Sequence, residues 1–279
     1  MGKERAGSGG QRAVGSRQLV LLAVCLLFAA SRGVLLAQGP GRTPAQKPAA
    51  PPAPPPRIDA KAQELLDKTI QALGGQAFLQ AKSLTTRGRI FAISEDMTSG
   101  FAPFESTVEF PDKRRFSYGK DKPVILLNDG DRGWEVDRYG LIDQPAEQLR
   151  RWRISVRYGY ENVLRQLLHE PGVLAQGGGT DFVDNLPARI VEITDARQVH
   201  VGLYLHALTF LPIRLTYRLQ NPQTQEWEEY ADVYSDYRPA QGIQTPMHIG
   251  RLRNGERYSE FFRTFAEYNT AHPPDYFRP

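Results

Sequence analysis

The feature that most constrains this chain is a run of alternating apolar and polar residues between positions 188 and 268. In 198–207 and again in 211–219, every second residue is apolar. A side-chain period of two is that of a β-strand with one buried face and one solvated face. Turn signals divide the region into strand candidates at 188–194, 198–207, 211–219, 226–237, 244–253 and 256–268. The sequence therefore predicts an antiparallel meander whose apolar face is covered by another part of the chain.

A turn signal supports the meander, and shorter apolar runs predict further strands that precede it in the sequence. Asn254 and Gly255 predict a tight hairpin, because a type I′ turn needs positive φ at both central positions. Further strands are predicted at 84–93, 105–111, 114–119, 123–129 and 133–139, with a loop over 94–104. The segment 129–133, rich in Asp and Gly, reads as a hairpin turn, since it lacks the later ligands of a calcium loop.

Two segments carry helical periodicity and are candidates for the cover. Asp59 is a good N-cap for a helix over 60–73, which Gly74 and Gly75 would end. Over 144–169, apolar residues recur at i, i+3 and i+4, which predicts a long amphipathic helix with Gly159 as a possible kink. A strand through the middle of that segment is the alternative. The glycines at 177–179 predict a flexible loop before the meander.

The first 57 residues have the composition of export and tether sequence. Basic residues precede a twelve-residue apolar run at 19–30, which has the length of a signal-peptide core and is too short to span a bilayer. We predict a signal peptide over 1–37, cleaved after Ser31 or Ala37, with an uncleaved anchor as the alternative. A Pro/Ala-rich linker follows over 38–57, and a single domain fills 58–279.

Charge and cysteine content exclude several classes of function. The chain has a net charge of +4, but residues 1–57 contain eight Lys or Arg and one Glu, which leaves the remainder at −3. The predicted domain therefore lacks the basic excess typical of nucleic-acid binding. Cys25 is the only cysteine and lies in the apolar run, so the exported protein is predicted to have neither disulfide nor thiol chemistry.

Motifs for catalysis are missing from the sequence. It contains no P-loop, no dinucleotide-binding glycine motif, no nucleophile elbow and no zinc-protease motif. His200 and His206 share a strand face but lie roughly 20 Å apart at about 3.3 Å per residue, too far to bind one metal. We therefore predict no enzyme, cofactor or metal. A hydrolase that uses converging carboxylates such as Glu228 and Asp232 is kept as a third alternative.

Several short motifs, taken in order, resemble the LolA/LolB-like outer-membrane lipoprotein carriers. They lie at 73–75, at 108–118 (V-E-F-P-D-K-R-R-F-S-Y), at 128–137 (a D-G-x-x-x-W hairpin), at 208–217, at 237–246 and at 273–277. The resemblance implies an α+β fold, in which a strongly curved antiparallel sheet forms an incomplete barrel with helices covering its concave face. It also implies that acyl chains or lipoproteins bind in that hollow. One position departs: where carriers have an arginine before the strand-end proline that latches the lid, this chain has Phe110.

The sequence thus predicts a monomeric, non-enzymatic protein of the periplasm or cell envelope. Its expected partner is a lipid or lipoprotein acyl chain, and outer-membrane lipoprotein sorting is one expected role. No nucleic-acid partner is expected. The predicted ligand contacts come from the helix at 144–169, the predicted lid, and from the sheet: Leu149, Trp152, Val156, Val201, Leu203, Ile213 and Leu215. The main alternative is a sensor or interaction module of the same fold, with a filled interior, that binds envelope proteins.

Overall fold

A computed structural model of the protein describes residues 53–94 and 97–279, and one large open sheet dominates that part of the chain. Its fourteen strands are β1 (Arg57–Ile58), β2 (Ser83–Ser94), β3 (Met97–Glu109), β4 (Lys113–Tyr118), β5 (Val124–Asp129), β6 (Arg132–Asp137), β7 (Gly140–Asp143), β8 (Leu174–Val183), β9 (Leu186–Thr194), β10 (His200–His206), β11 (Pro212–Gln220), β12 (Trp227–Ala240), β13 (Ile243–Arg253) and β14 (Glu256–Tyr268). Their spatial order is β1-β8-β9-β10-β11-β12-β13-β14-β2-β3-β4-β5-β6-β7. All neighbours are antiparallel except β1 and β8.

The predicted meander is confirmed as β9 to β14, paired in chain order. Asn254 and Gly255 both have positive φ, at 53° and 83°, and join β13 to β14 as the hairpin signal predicted. The segment 129–133 also forms its predicted hairpin, between β5 and β6. The meander is joined to the preceding strands by the long-range pair of β14 with β2, so the two halves form one sheet. This is the curved, incomplete antiparallel barrel of the predicted α+β class.

Two predicted loops are wrong. Residues predicted as a loop over 94–104 lie mostly in β3, which pairs with β2 from Met97 onward. The glycines at 177–179 lie within β8, where the register with β9 shifts between Gly177 and Thr180. A Cβ on Gly177 would stand only 2.5 Å from the Lys61 side chain, so the glycine is needed where the first helix crosses the strand.

That first helix, α1 (Ala60–Leu73), packs on one half of the sheet, and its side chains fill the space between helix and sheet. It begins and ends as predicted: the Asp59 carboxylate accepts the N–H of Ala62 at 2.6 Å, and Gly74 ends the helix with φ 125°. It is followed by the short helix α2 (Gln76–Gln80). The apolar face of α1 is fully packed against β8, β9 and β13, through Ala62, Leu65, Leu66 and Leu73.

The predicted long helix over 144–169 is broken into three pieces. They are α3 (Ala146–Arg157), α4 (Tyr160–Arg165) and a 3₁₀ turn at Leu167–His169. The break falls at Tyr158 and Gly159, and Gly159 has extended φ and ψ of −66° and 142°. Because the chain changes direction there, α4 packs into the core, while α3 lies over the opposite half of the sheet.

The predicted signal peptide over 1–37 and most of the linker over 38–57 lie outside the described residues. The last linker residue, Arg57, belongs to β1 and donates its N–H to the carbonyl of Val173 at 2.8 Å. None of the helices in the described residues has the length and apolarity that a membrane crossing requires.

Candidate functional site

A cavity of about 420 Å³ lies between the concave face of the sheet and the helices α3 and α4. We call it the hollow. Its walls come from β2 to β5, from β12 to β14, and from residues 155–162 of the helical segment. A cavity of this size is in the range that holds a small apolar ligand. Its apolar lining comprises Leu84, Ile90, Phe104, Val108, Phe110, Phe116, Leu126, Val156, Ile249 and Phe261.

Three phenylalanine rings form the apolar floor of the hollow. The Phe104 ring centroid lies 5.8 Å from that of Phe116 and 5.5 Å from that of Phe261, and the Phe116 and Phe261 centroids are 6.2 Å apart. The rings come from β3, β4 and β14, which are distant in sequence and are brought together by the β14–β2 pairing. We call these residues the phenylalanine trio. They form a continuous aromatic surface that an apolar ligand in the hollow would contact.

The helix α3 is a thin wall between the hollow and a second cavity of about 460 Å³ on its other side. Val156, Asn162 and Pro111 line both cavities, so the two spaces are separated by single side chains. The second cavity has a less apolar wall, with charged residues such as Arg150, Arg153 and Glu170. A displacement of α3 would therefore connect the hollow to the polar outer space.

The C-terminal end of α3 is anchored by a buried carboxylate. Asp195 is fully buried at the β9–β10 turn, where its Oδ1 accepts the N–H groups of Arg197 and Val199 at 2.8 and 3.0 Å. Its Oδ2 accepts from the Tyr158 hydroxyl at 2.9 Å and from Arg157 Nη2 at 3.2 Å. Arg157 also makes a two-pronged ion pair with Glu170. Burial, reinforced by the hydrogen bond to Asp195, raises the pKa of Tyr158 to about 12, so it remains a donor at neutral pH.

The rest of α3 is held by few interactions with the sheet. Arg153 makes an exposed ion pair with Asp131 at 2.8 Å, and pairs of this kind contribute little. Trp152 is the one residue of α3 that is buried, and its indole ring lies 5.9 Å from the Arg114 guanidinium. This helix is therefore fixed at its C-terminal end and by one side chain near its middle.

The hollow also contains five charged side chains, which is unusual for an apolar space. Arg251 pairs with Asp232 at 3.6 Å and lies over the Phe261 ring at 4.9 Å. Arg114 lies over the Phe116 ring at 5.5 Å and donates to the Asn128 amide oxygen at 3.2 Å. The other two are Arg263 and Glu161. Three guanidinium groups thus face two carboxylates.

Burial affects the pKa values of Asp232, Glu161, Arg114 and Arg251. It raises the pKa of Asp232 and of Glu161, against the opposing effect of nearby arginines. Burial, together with the positive charge of Arg251, lowers the pKa of Arg114 to about 9, so this guanidinium is still charged at neutral pH. For Arg251, the cost of burial is outweighed by Asp232 and nearby tyrosines, and its pKa is raised.

Phe110, the residue before the strand-end proline, contacts an arginine of α4. The Arg165 guanidinium of α4 lies over the Phe110 ring, 4.2 Å from the ring centroid. Arg165 also donates to the carbonyls of Ala81 and Phe78, at 3.0 and 2.5 Å. Asn162 donates to the Pro111 carbonyl at 2.8 Å. The arginine is thus on the helix and the aromatic ring on the strand, and these contacts tie α4 rather than α3.

The predicted helix contacts lie close to the hollow. Val156 lines it, and Trp152 lines the second cavity on the other side of α3. Leu149 is half-buried one turn further toward the N-terminus and is not among the residues that line either cavity. Contact of the three with a ligand stays a prediction.

The predicted sheet contacts are placed elsewhere. Val201, Leu203 and Leu215 are almost completely buried in the main core, and none of them lines the hollow. Ile213 packs in a small separate cluster with Val183, Ala188 and Tyr204. A register shift between Tyr204 and Leu205 interrupts the β10–β11 ladder beside it. The structure therefore brings Val156 to the hollow, but not the four residues of β10 and β11.

The sequence does not predict the phenylalanine trio, or the arginines beside it, as residues of the site. Arg114 and Phe116 share one face of β4 through the period of two, which was a usable signal. Phe104 lies in the segment that the sequence predicts as a loop, so no strand face is predicted for its side chain. The pairing of β14 with β2, which completes the trio, has no local signal in the sequence.

The carboxylates of the hydrolase alternative have separate partners. Glu228 accepts from the Tyr230 hydroxyl at 2.6 Å and from the Asn221 amide at 3.0 Å, while Asp232 pairs with Arg251. Asp232 lines the hollow and Glu228 does not. In the described part of the chain, no group of three or more His, Cys, Asp or Glu is arranged to hold a metal ion.

Comparison with solved structures identifies the class of fold. The chain is similar to a DUF1329 family protein from Desulfovibrio piger, with a TM-score of 0.53 and 11% identity, over 79% of this chain and 98% of that one. It is also similar to a LolA superfamily protein from Nitrosomonas europaea, with a TM-score of 0.51 and 14% identity, over 79% of this chain and 99% of that one. No protein-family model and no curated sequence matches the chain. The chain therefore shares its fold with these two solved structures, one of which is a LolA superfamily protein, and this is the fold that the sequence resemblance predicted.

Proposed function

We propose that this protein is a non-enzymatic binding protein of the cell envelope, which holds the apolar chain of a lipid or lipoprotein in the hollow. The observation that carries the proposal is the cavity of about 420 Å³ above the phenylalanine trio. Burial of a chain on this surface would be favourable by about 25 cal/mol per Å² of apolar area. Binding of this kind requires no catalytic group.

The construction of the lid supports the same proposal. Because α3 is held by one anchor and one buried side chain, it offers a way for a chain to enter without unfolding the core. The fold shared with a LolA superfamily protein is compatible with this use, and the predicted signal peptide would place the protein outside the cytoplasm. Outer-membrane lipoprotein sorting is the specific process that we propose, with the protein acting as a monomer.

The alternative of a sensor or interaction module requires a hollow filled by the protein's own side chains. The cavity favours the binding protein over that alternative. A sensor that reads a bound acyl chain remains compatible with the proposal, because it uses the same site. The hydrolase alternative has no supporting geometry in the described residues, since its two carboxylates have separate partners.

The experiment that tests the proposal fills the hollow. The full chain is delipidated and titrated with a fluorescent fatty acid, and native mass spectra are recorded for co-purified lipid. We expect uptake by the wild type and loss of uptake by Val108→Trp, whose indole would occupy the space that Val108 now lines. Val233→Trp is the matched control, because Val233 lies between Asp232 and Tyr234 on β12 and therefore faces away from the hollow.

The outcomes separate the hypotheses. Uptake by the wild type and by Val233→Trp, together with loss in Val108→Trp, supports binding in the hollow. No uptake by the wild type and no lipid in its native mass spectra would contradict the proposal. Equal uptake by all three proteins would show that the fatty acid binds elsewhere.

A further inference from the structure

Arg114 is the one cation of the hollow whose charge has neither an ion pair nor an opposing carboxylate to compensate it within the described residues. Arg251 pairs with Asp232, and Arg263 and Glu161 attract each other across the cavity. Arg114 has a single side-chain partner, the neutral amide oxygen of Asn128. The nearby Arg251 adds a second positive charge rather than a compensating one. This end of the hollow therefore has a positive charge and no resident anion.

Several hydrogen-bond donors around the hollow are buried without an acceptor, the Nε atoms of Arg251 and Arg263 among them, and two such donors belong to neighbouring side chains at Arg114. One is Arg114 Nε and the other is the indole nitrogen of Trp152. The two side chains are neighbours at the α3 wall, with the guanidinium 5.9 Å from the indole ring; Arg114 lines the hollow and Trp152 lines the second cavity. Leaving a buried donor unpaired is costly, and leaving two beside each other calls for an acceptor that is not part of the protein chain.

The surroundings of these donors are apolar and aromatic. The Arg114 guanidinium lies over Phe116, and Phe116 contacts the rest of the phenylalanine trio. A ligand that places acceptor atoms at Arg114 and Trp152 would therefore have its remaining atoms on the three rings. Its polar end and its apolar end would each meet matching groups. The planar guanidinium fork suits the oxygens of a carboxylate or a phosphate equally well.

We infer that the ligand of the hollow is an anionic amphiphile, whose carboxylate or phosphate oxygens bind at Arg114 and Trp152 while its alkyl chain lies on the phenylalanine trio. This inference rests on the proposed function and adds the chemistry of the head group. The head group would lie at the α3 wall, where single side chains separate the hollow from the polar second cavity. Entry past α3 would thus leave the charged end nearest to water.

The first test compares head groups on the wild-type full chain. Calorimetric titration is done with myristate, with tetradecanol, and with a myristoyl lysophospholipid that has a phosphate head group. We expect both anionic amphiphiles to bind at least about tenfold more tightly than tetradecanol, because charge-assisted hydrogen bonds are worth that factor or more. The ratio between the carboxylate and the phosphate compounds then identifies the source of the anion.

The second test uses variants of the two donors. Arg114→Gln removes the charge, and we expect about a tenfold loss of affinity for myristate with no change for tetradecanol. Trp152→Phe keeps an aromatic ring but removes the N–H, and we expect about a threefold loss for myristate alone. Arg218→Gln is the matched control, because Arg218 stacks on Trp227 at the same 5.9 Å on the exposed surface. It should change neither affinity.

The failure of this inference differs from the failure of the proposed function. Equal affinity of the wild type for myristate and tetradecanol would overturn the head-group assignment and leave the apolar site in place. Equal losses in Arg114→Gln and Arg218→Gln would overturn it as well. If Arg114→Gln does not fold, the wild-type comparison and Trp152→Phe decide. Absence of binding by all three amphiphiles would overturn the proposed function itself.

Discussion

The two longest helices of the described chain cover the same sheet in different ways. The helix α1 has fourteen residues, and five of them are buried; α3 has twelve residues, and only Trp152 is buried. Below α1 the space is filled by side chains of β8, β9 and β13, whereas below α3 the hollow remains. This division indicates that one half of the sheet stabilises the fold, while the other half forms the candidate site.

The charge patterns of the two helices agree with this division. The carboxylate that caps α1 also accepts the N–H of Gly177, which ties the helix to β8. The charged groups of α3 mostly pair within the helix, as Glu147 does with Arg150 and Arg151, and these pairs lower the pKa of Glu147 to about 2. Pairs within a helix support it as a helix but do not attach it to the sheet.

The largest expected effect is a loss of stability on substitution of a core residue of α1. Leu66 is 2% exposed, so Leu66→Ala should lower the free energy of unfolding by about 2–5 kcal/mol. The same change at half-buried Leu149 in α3 should cost less than about 1 kcal/mol. Urea unfolding of both variants measures the difference. Similar losses would show that α3 contributes as much to the core as α1.

The second prediction concerns the anchor of α3. Asp195→Asn keeps the oxygen that accepts from Arg197 and Val199, but directs an amide N–H toward Arg157. We expect a loss of about 1–3 kcal/mol in the free energy of unfolding, because a buried acceptor becomes a donor facing a donor. Asp236→Asn is the matched control, since Asp236 is exposed and pairs with Arg238. A loss at Asp236 equal to that at Asp195 would contradict the assignment.

The third prediction is dynamic. Amide hydrogens of α3 should exchange faster than those of α1, because few buried contacts oppose local opening of α3. Addition of myristate should slow exchange in α3 and leave α1 unchanged. Hydrogen–deuterium exchange read by mass spectrometry resolves the two helices. Protection of α3 equal to that of α1 in the free protein would argue against a lid.

The smallest expected effect is on the pH dependence of stability. Burial raises the pKa of Asp232 above its ordinary value. Its contribution to stability is therefore fully present below the unfolded-state pKa and is lost as the pH rises through the folded-state pKa. Removing it by Asp232→Asn should make the free energy of unfolding fall more steeply between pH 7 and about pH 3.5, a value below the unfolded-state pKa of Asp, by less than about 1 kcal/mol. Urea midpoints at the two pH values, with Asp236→Asn as control, measure this; an identical slope in Asp232→Asn and the wild type would contradict it.

The sequence was sufficient to predict the meander and the helix that packs on it. Strands β9 to β14 and helix α1 follow from alternation, from the Asp59 cap and from the turn at Asn254 and Gly255. These signals are local, and each one is reinforced by burial of a single face. The helical nature of 144–169 and the interruption at Gly159 were also predicted, whereas the packing of α4 into the core was not.

The site was less predictable, for two physical reasons. Residues 97–103 at the start of β3 are exposed or only partly buried, and they do not alternate between apolar and polar. The sequence there therefore lacks the periodicity that predicts a strand. The hollow depends on which strands end up below α3, and that is decided by the long-range pair of β14 with β2. Leu203 and Leu215, predicted as ligand contacts, instead lie in the main core, away from the hollow.

The chain also contains an internal control for the site. A second group of phenylalanines, Phe91, Phe101 and Phe262, makes ring contacts like those of the trio, but Phe101 is 67% exposed and Phe262 41%. Phe261 and Phe262 are neighbours in β14, and their side chains point to opposite faces of the sheet. An apolar ligand that binds merely to exposed aromatic rings would choose this outer group.

Photo-crosslinking locates the bound alkyl chain in the structure. The full chain is incubated with a myristic acid that carries a diazirine on its alkyl chain, irradiated and digested, and the modified residues are located by mass spectrometry. Binding in the hollow predicts adducts on Phe104, Phe116, Phe261 or Val156, which excess unlabelled myristate suppresses. Adducts confined to Phe91, Phe101 and Phe262, or no adducts that myristate suppresses, would contradict it.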